Sequence, residues 1–187
     1  MQSNTVPDLV TRAQKGSVDA AGQLYERHYR SIYRYLFYRL GDQTAAEDLT
    51  GEVFLKMVQA LPAYRVTAAT FRTWLFQIAR NLSIDHFRRA KSHPVVALEE
   101  HVPAGEEAPE NVADNRLSGV RLQQALAQLG EEQRDVVVMR FIEGMPVAEV
   151  AGTLHKSEDA VKGLQRRALI ALRDLLQPTE DDHGNNG

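Results

Sequence analysis

The stretch Val147–Leu176, VAEVAGTLHKSEDAVKGLQRRALIALRDLL, decides the fold. Pro146 is well placed to start a short helix that carries Val147, Val150, Ala151 and Leu154 on one side. A tight turn follows, and Ser157 caps a longer helix that runs to about Leu176. On that helix Val161, Leu164, Ala168, Leu172 and Leu175 keep the spacing of an inward face. Lys162, Gly163, Arg166, Arg167 and Arg173 fall on or near the opposite side. Lys162 and Arg166, four apart, are surface neighbours. A short helix, a turn and a longer helix with a basic outer face is the layout of a DNA-binding helix-turn-helix, whose second helix enters the major groove N-terminus first. Ser157 and the free amides behind it suit a phosphate. Glu158 and Asp159 stabilise the helix start but repel phosphate, unless one accepts a hydrogen bond from a cytosine amine. Gly163 costs about 1 kcal/mol of helix stability; close approach of DNA rationalises it, and so does simple tolerance. The competing reading of this stretch is a helical hairpin with a solvated basic face.

Helix signals continue outward in both directions. Leu117–Leu129 is amphipathic and ends at Gly130. Glu131 and Glu132 then open a helix through Val136–Ile142 that stops at Gly144. In the first half, Asp8 to about Leu40 is broken only by Gly16 and Gly22, and Gly41 ends it. Thr44, with Glu47 in capping-box spacing, opens a helix whose face is Leu49, Val53, Phe54, Met57 and Leu61, and Pro62 closes it. Thr67 or Thr70 opens a third helix, with Phe71, Trp74, Leu75, Ile78, Leu82 and Phe87 at helical spacing up to about Lys91. Between the halves, 93–116 holds Pro94, Pro103, Pro109 and a run of acids with little apolar periodicity, too little surface to offset its ordering entropy. The expected architecture is all-α: two small helical domains, 6–92 and 117–177, joined by a flexible acidic linker, 93–116. The second domain ends in the helix-turn-helix, and a disordered polar tail, 178–187, leaves no room for a further domain.

The net charge of −3 on 187 residues conceals segregation. Phe71–Ser92 carries five Lys or Arg against one acid, and Lys156–Arg173 five against two. His93–Leu117 holds six acids and one base, and Asp174–Gly187 four acids and no base. With no cysteine, disulfides and thiolate chemistry are excluded. No apolar run approaches the roughly 20 residues of a membrane span, and the N-terminus lacks the regions of a signal peptide; a cytoplasmic location is expected. Phosphate loops, metal-ligand clusters and nucleophile elbows are absent from the sequence, and His28, His86, His93 and His101 do not recur at ligand spacing on one helix. No enzyme activity, metal or cofactor is expected.

Phe71, Arg72, Trp74, Arg80, Asn81, Asp85, Phe87, Arg88 and Arg89 mix aromatic and basic residues on one helix. Aromatics stack on unpaired bases at about 1–3 kcal/mol each and arginines hold the backbone, which suits melted DNA. Phe71 and Trp74 also keep core spacing, and Asn81 with Asp85 fits a buried network equally well. The run Tyr25, Tyr29, Tyr33, Tyr35, Phe37 and Tyr38 is assigned to packing.

Read together, these segments resemble a family. Ala45–Lys56, Phe71–Asn81, Leu129–Arg134, Glu143–Pro146 and Val161-Lys162 are similar, in order, to the extracytoplasmic-function sigma factors over about residues 20–92 and 118–176. The resemblance implies an alternative sigma factor that binds core RNA polymerase and directs promoter recognition, melting and initiation without ATP. It implies that Asp48, Leu49, Glu52, Val53 and Phe54 meet the clamp helices of the largest polymerase subunit. Phe71, Arg80, Asn81, Asp85, Arg88 and Arg89 then open and read the −10 element, and Ser157, Lys162, Gly163, Arg166 and Arg167 read the −35 element. The second domain also meets the polymerase flap, the linker threads toward the RNA-exit path, and an anti-sigma protein is a common partner. His155 departs from the family, standing where its turn often has glycine; Leu164 and Leu169-Ile170-Ala171 stand where relatives are often basic. That weakens the expected affinity of the last helix for DNA on its own and offers an apolar surface to an inhibitor. The alternative, a conventional helix-turn-helix regulator, leaves the Asp48 segment and the Phe71–Arg89 cluster unexplained.

Overall fold

The computed structural model describes residues 5–65, 70–92 and 112–177, and every regular element among them is helical. A first domain comprises α1 (Val6–Gln14), α2 (Val18–Leu40), α3 (Gln43–Ala60) with a 3-10 turn at Leu61–Ala63, and α4 (Phe71–Ser92). A second comprises α5 (Val112–Gln128), α6 (Glu131–Val137) running into a π turn at Val138–Ile142, α7 (Val147–Leu154) and α8 (Glu158–Leu176).

Local chemistry sets the boundaries. The long first pattern divides at Gly16, after which the Ser17 hydroxyl accepts from the Ala20 amide and starts α2. Gly41 closes α2 in the left-handed region, φ 75°, its amide on the Phe37 carbonyl. The cap of α3 is Asp42, not Thr44: its carboxylate accepts from the Ala45 amide at 2.7 Å, which places Thr44 already inside the first turn. Thr70 caps α4 by accepting from the Thr73 amide; Thr67 lies outside the described residues. Helix α5 begins at Val112, so the end of the expected linker is helical, while 93–111 and 178–187 lie outside the described residues.

The first core gathers Leu9, Leu24, Ile32, Leu36, Val53, Met57, Leu75 and Phe76. The second gathers Leu126, Val136, Val138, Met139, Met145, Val150, Val161 and Ala168. Each such Leu, Ile, Val, Met or Phe side chain contributes about 1.5–3 kcal/mol by leaving water. The aromatic run on α2 packs as expected: Tyr35 and Phe37 are buried, and Tyr29, Tyr33 and Tyr38 lie against the core. Tyr25 is exposed, its ring edge-on to Phe54.

The two domains are also packed against one another, whereas the sequence suggests two tethered modules. Helix α4 lies against α7, and α2 against α5 and the π turn. Gln77 donates to the Gly152 carbonyl at 2.9 Å, and a Cβ on Gly152 would sit 3.3 Å from the Thr73 methyl. A side chain at Gly152 would therefore need the Thr73 methyl to shift by a few tenths of an ångström, so α7 and α4 approach closely here.

Candidate nucleic-acid interface

Helix α8 presents the expected basic face. Lys162, Arg166 and Arg167 are exposed, while Val161, Leu164, Ala168 and Leu172 are buried beneath them. The Ser157 oxygen accepts from the Ala160 amide at 3.2 Å, so its first role is to cap its own helix. Lys162 reaches back to Asp159 at 3.2 Å. Gly163 is not required by space: a Cβ there would make an ordinary contact, 3.6 Å from an Arg167 guanidinium nitrogen. Leu175, expected inward, is exposed, as are Leu169, Ile170 and Leu176 in the second half of the helix. The turn before α8 is made by His155 at φ 53°, ψ 44°, a left-handed conformation costly for a residue with a Cβ. Lys156 points back to Glu132 at 3.0 Å.

Helix α4 splits the second candidate set. Asn81, Arg88 and Arg89 are exposed, and Asp85 is half-buried and pairs with Arg88 at 3.6 Å. Phe71 is buried, its ring 5.4 Å from Trp74 and 5.5 Å from Tyr64, and so belongs to the core here. His28 lies 5.6 Å from Phe71 with Nε2 buried and unbonded. Burial, then the charges of Arg72 and Arg27, lowers its pKa to about 4. Arg80 is half-buried and donates to Asp135 of the second domain at 3.0 Å.

On α3 the third set divides in the same way. Leu49, Val53 and Phe54 are core residues, while Asp48 is exposed and Glu52 half-buried beside Lys56 at 3.8 Å. Leu55 and Val58, 58% and 52% exposed, share the outer side and were not singled out from the sequence. Their signal was present: two large apolar residues off the spacing of the core face.

Two carboxylates of the second domain enter cationic clusters of the first. Asp135 accepts from the Tyr35 hydroxyl at 2.9 Å, from Arg80 and from Arg39. Glu143 takes the Ser31 hydroxyl and Arg34, at 2.5 Å, and lies 3.6 Å from Arg72, whose guanidinium also donates to the Glu143 carbonyl. Burial first, and then the Asp135 charge, raises Tyr35 well above its ordinary value. For Arg39, burial works downward but Tyr35, Asp135 and Glu131 outweigh it, and the net direction is up. The group stays cationic.

Comparison with known proteins agrees with this division. Residues 24–93 match the family model for Sigma-70 region 2, and residues 125–174 that for Sigma-70 region 4. The ECF RNA polymerase sigma factor BldN of Streptomyces coelicolor is 39% identical over 90% of the chain, and SigX of Bacillus subtilis 31% over 82%. The chain belongs to the ECF RNA polymerase sigma factors. This sigma factor spans 65% of the length of BldN and 82% of that of SigX. Among solved structures, CnrH in complex with the cytosolic domain of CnrY superposes with a TM-score of 0.71 at 27% identity, covering 90% of this sigma factor and 94% of that chain. The sigma factor RpoE of Bartonella quintana, solved with the anti-sigma factor NepR, shares the fold at a TM-score of 0.67 and 19% identity. No described helix of the sigma factor is long and apolar enough to cross a membrane, and no metal-ligand cluster occurs among its described residues.

Proposed function

We propose that this sigma factor binds core RNA polymerase, brings it to promoters and stabilises the melted −10 strand, with no cofactor and no catalytic group of its own. The reading rests on one observation: both sigma regions occur in order in a single chain, each with cations exposed on a helix face. In the first domain α3 docks on the clamp helices of the largest subunit through Asp48, Glu52, Leu55 and Val58, above a core of Leu49, Val53 and Phe54. Asn81, Asp85, Arg88 and Arg89 of α4 face the −10 element, with Arg80 joining once it is released from Asp135 and Phe71 supporting from beneath. In the second domain Lys162, Arg166 and Arg167 contact the −35 element, Gly163 lets the DNA approach the helix closely, Ser157 holds the helix start, and the flap is met nearby. The polypeptide works in the cytoplasm. An anti-sigma protein docks on exposed apolar side chains of α8, Leu169 and Ile170 among them.

Incubating the purified chain with core polymerase that lacks its own specificity subunit tests this. Co-elution on gel filtration and protection of both promoter elements are expected. Protection of DNA by the chain alone, with no capture by polymerase, would instead make it a conventional helix-turn-helix regulator.

A further inference from the structure

We propose, building on the reading of α4 as the −10 helix, that Gln14 of α1 is a positioning residue for capture of the unpaired −10 strand. Helix α1 lies ahead of the residues that match region 2 and has no part in the surfaces assigned so far. Leu9 and Val10 anchor it in the first core. Gln14, in its last turn, reaches to the 3-10 turn that closes α3. Its carboxamide nitrogen donates to the Leu61 carbonyl at 3.0 Å and to the Tyr64 carbonyl at 2.6 Å. A side-chain amide has two N–H donors, so both are committed to backbone 47 and 50 positions away. The helix end that carries Gln14 is itself closed, because the Gly16 and Ser17 amides donate back to the Ala13 and Arg12 carbonyls.

Gln14 thereby holds one end of a track on α4. The Tyr64 ring, half-buried, lies 4.5 Å from Trp74 and edge-on to Phe71. Trp74, Ile78, Asn81, Asp85 and Arg88 recur at three- and four-residue steps, so they share one side of α4. That side carries Asn81, Asp85 and Arg88, and Tyr64 with Trp74 closes its N-terminal end. Every group that must be frozen when a ligand binds subtracts from affinity, and a group ordered beforehand does not. The two hydrogen bonds from α1 place that ordering in the folding of the first domain. Leu61 is held by its own burial, at 3% exposed. Tyr64 lacks that burial, so its backbone is what the tether restrains most.

The test uses the full chain assembled with core polymerase and a fluorescent fork promoter whose −10 strand is unpaired. Gln14→Met keeps the length of the side chain and removes both donors. Gln14→Glu keeps its shape and sets acceptors against the two carbonyls. Both holoenzymes are expected to bind the fork about fivefold more weakly, the scale of one lost hydrogen bond. Capture by polymerase and −35 protection should stay at the wild-type level. Tyr64→Leu is expected to give a similar loss, and Gln14→Met added to it no further loss, as for two residues that act through one another. Wild-type fork affinity in both Gln14 variants overturns the proposal, as do additive losses in the double variant. A fall in polymerase capture or −35 protection equal to the fall in fork binding also overturns it, by making Gln14 a stability residue alone. If the Gln14 variants do not fold, Tyr64→Leu decides: a loss confined to the fork upholds the proposal, and undiminished fork binding overturns it. A wild-type holoenzyme that ignores the fork overturns the −10 reading of α4 itself, and is recognised by failing without any substitution.

Discussion

Arg39 of the first domain and Asp135 of the second pair across the interface between them, with side chains 1% and 0% exposed. Both are buried where the two domains meet. Breaking such a pair by removing one partner costs about 3–5 kcal/mol, because the charge left behind is uncompensated. Here the molecule has a cheaper outcome, which is to part and rehydrate Arg39. Asp135→Ala should therefore increase the radius of gyration in solution scattering while leaving the helix content by circular dichroism unchanged. An unaltered scattering profile would show that apolar packing alone holds the domains together.

The outer side of α3 offers a separable test. Leu55 and Val58 are exposed and do not belong to the core, so Leu55→Asp and Val58→Asp should change stability by less than about 0.5 kcal/mol. Each should weaken capture by core polymerase about tenfold or more, read by titration of labelled chain. Wild-type affinity in both variants would place the polymerase contact elsewhere.

His155 carries a Cβ at φ 53° in the turn before α8. Glycine is relieved of the roughly 1–2 kcal/mol left-handed penalty but loses more backbone freedom on folding. His155→Gly should raise stability by up to about 1 kcal/mol, and His155→Val should lower it by at least that much, both read from urea midpoints. The reverse order would mean that the imidazole makes a compensating interaction.

Acid stability follows from His28. Its folded pKa, about 4, lies below the ordinary 6.5, so between these values the unfolded chain binds more protons and stability falls as pH falls. This group leaves stability independent of pH above about pH 7, where both states are neutral. From pH 7 to 4.5 the loss from this group should be about 2 kcal/mol, after discounting for its partial exposure. His28→Gln should flatten the urea midpoint against pH by that amount; parallel curves for the two proteins would remove His28 as the cause.

Arg166 and Arg167 are exposed on α8, and truncating each should reduce upstream protection in holoenzyme footprints while leaving protection near −10 in place. Removing an arginine that neutralises one phosphate lowers the salt slope by about 1. Unchanged upstream protection in both variants would remove them from the reading helix.

Much of this fold was legible because helical periodicity and punctuation agree along the chain. Gly41, Gly144 and Ser157 mark ends that the structure reproduces. Asp42 was missed as a cap because Thr44 and Glu47 imitate a capping box just inside the true start. Spacing also could not distinguish an apolar residue facing a partner from one facing the core. Leu49, Val53 and Phe54 carry the family resemblance but are buried, whereas Leu55 and Val58 are outside. The interface between domains was illegible for a deeper reason. Arg39, Asp135 and Glu143 look like solvated charges in sequence, and only the meeting of distant helices, 96 positions apart for Arg39 and Asp135, buries them.

Run-off transcription tests the central claim most directly. Core polymerase stripped of specificity subunits is supplied with this chain and a pool of genomic promoter fragments, and RNA products are sequenced from their 5′ ends. Discrete start sites that share two spaced upstream elements and vanish without the chain are the expected result. Polymerase that starts no RNA above the background of core alone, with the chain present and folded, would contradict it.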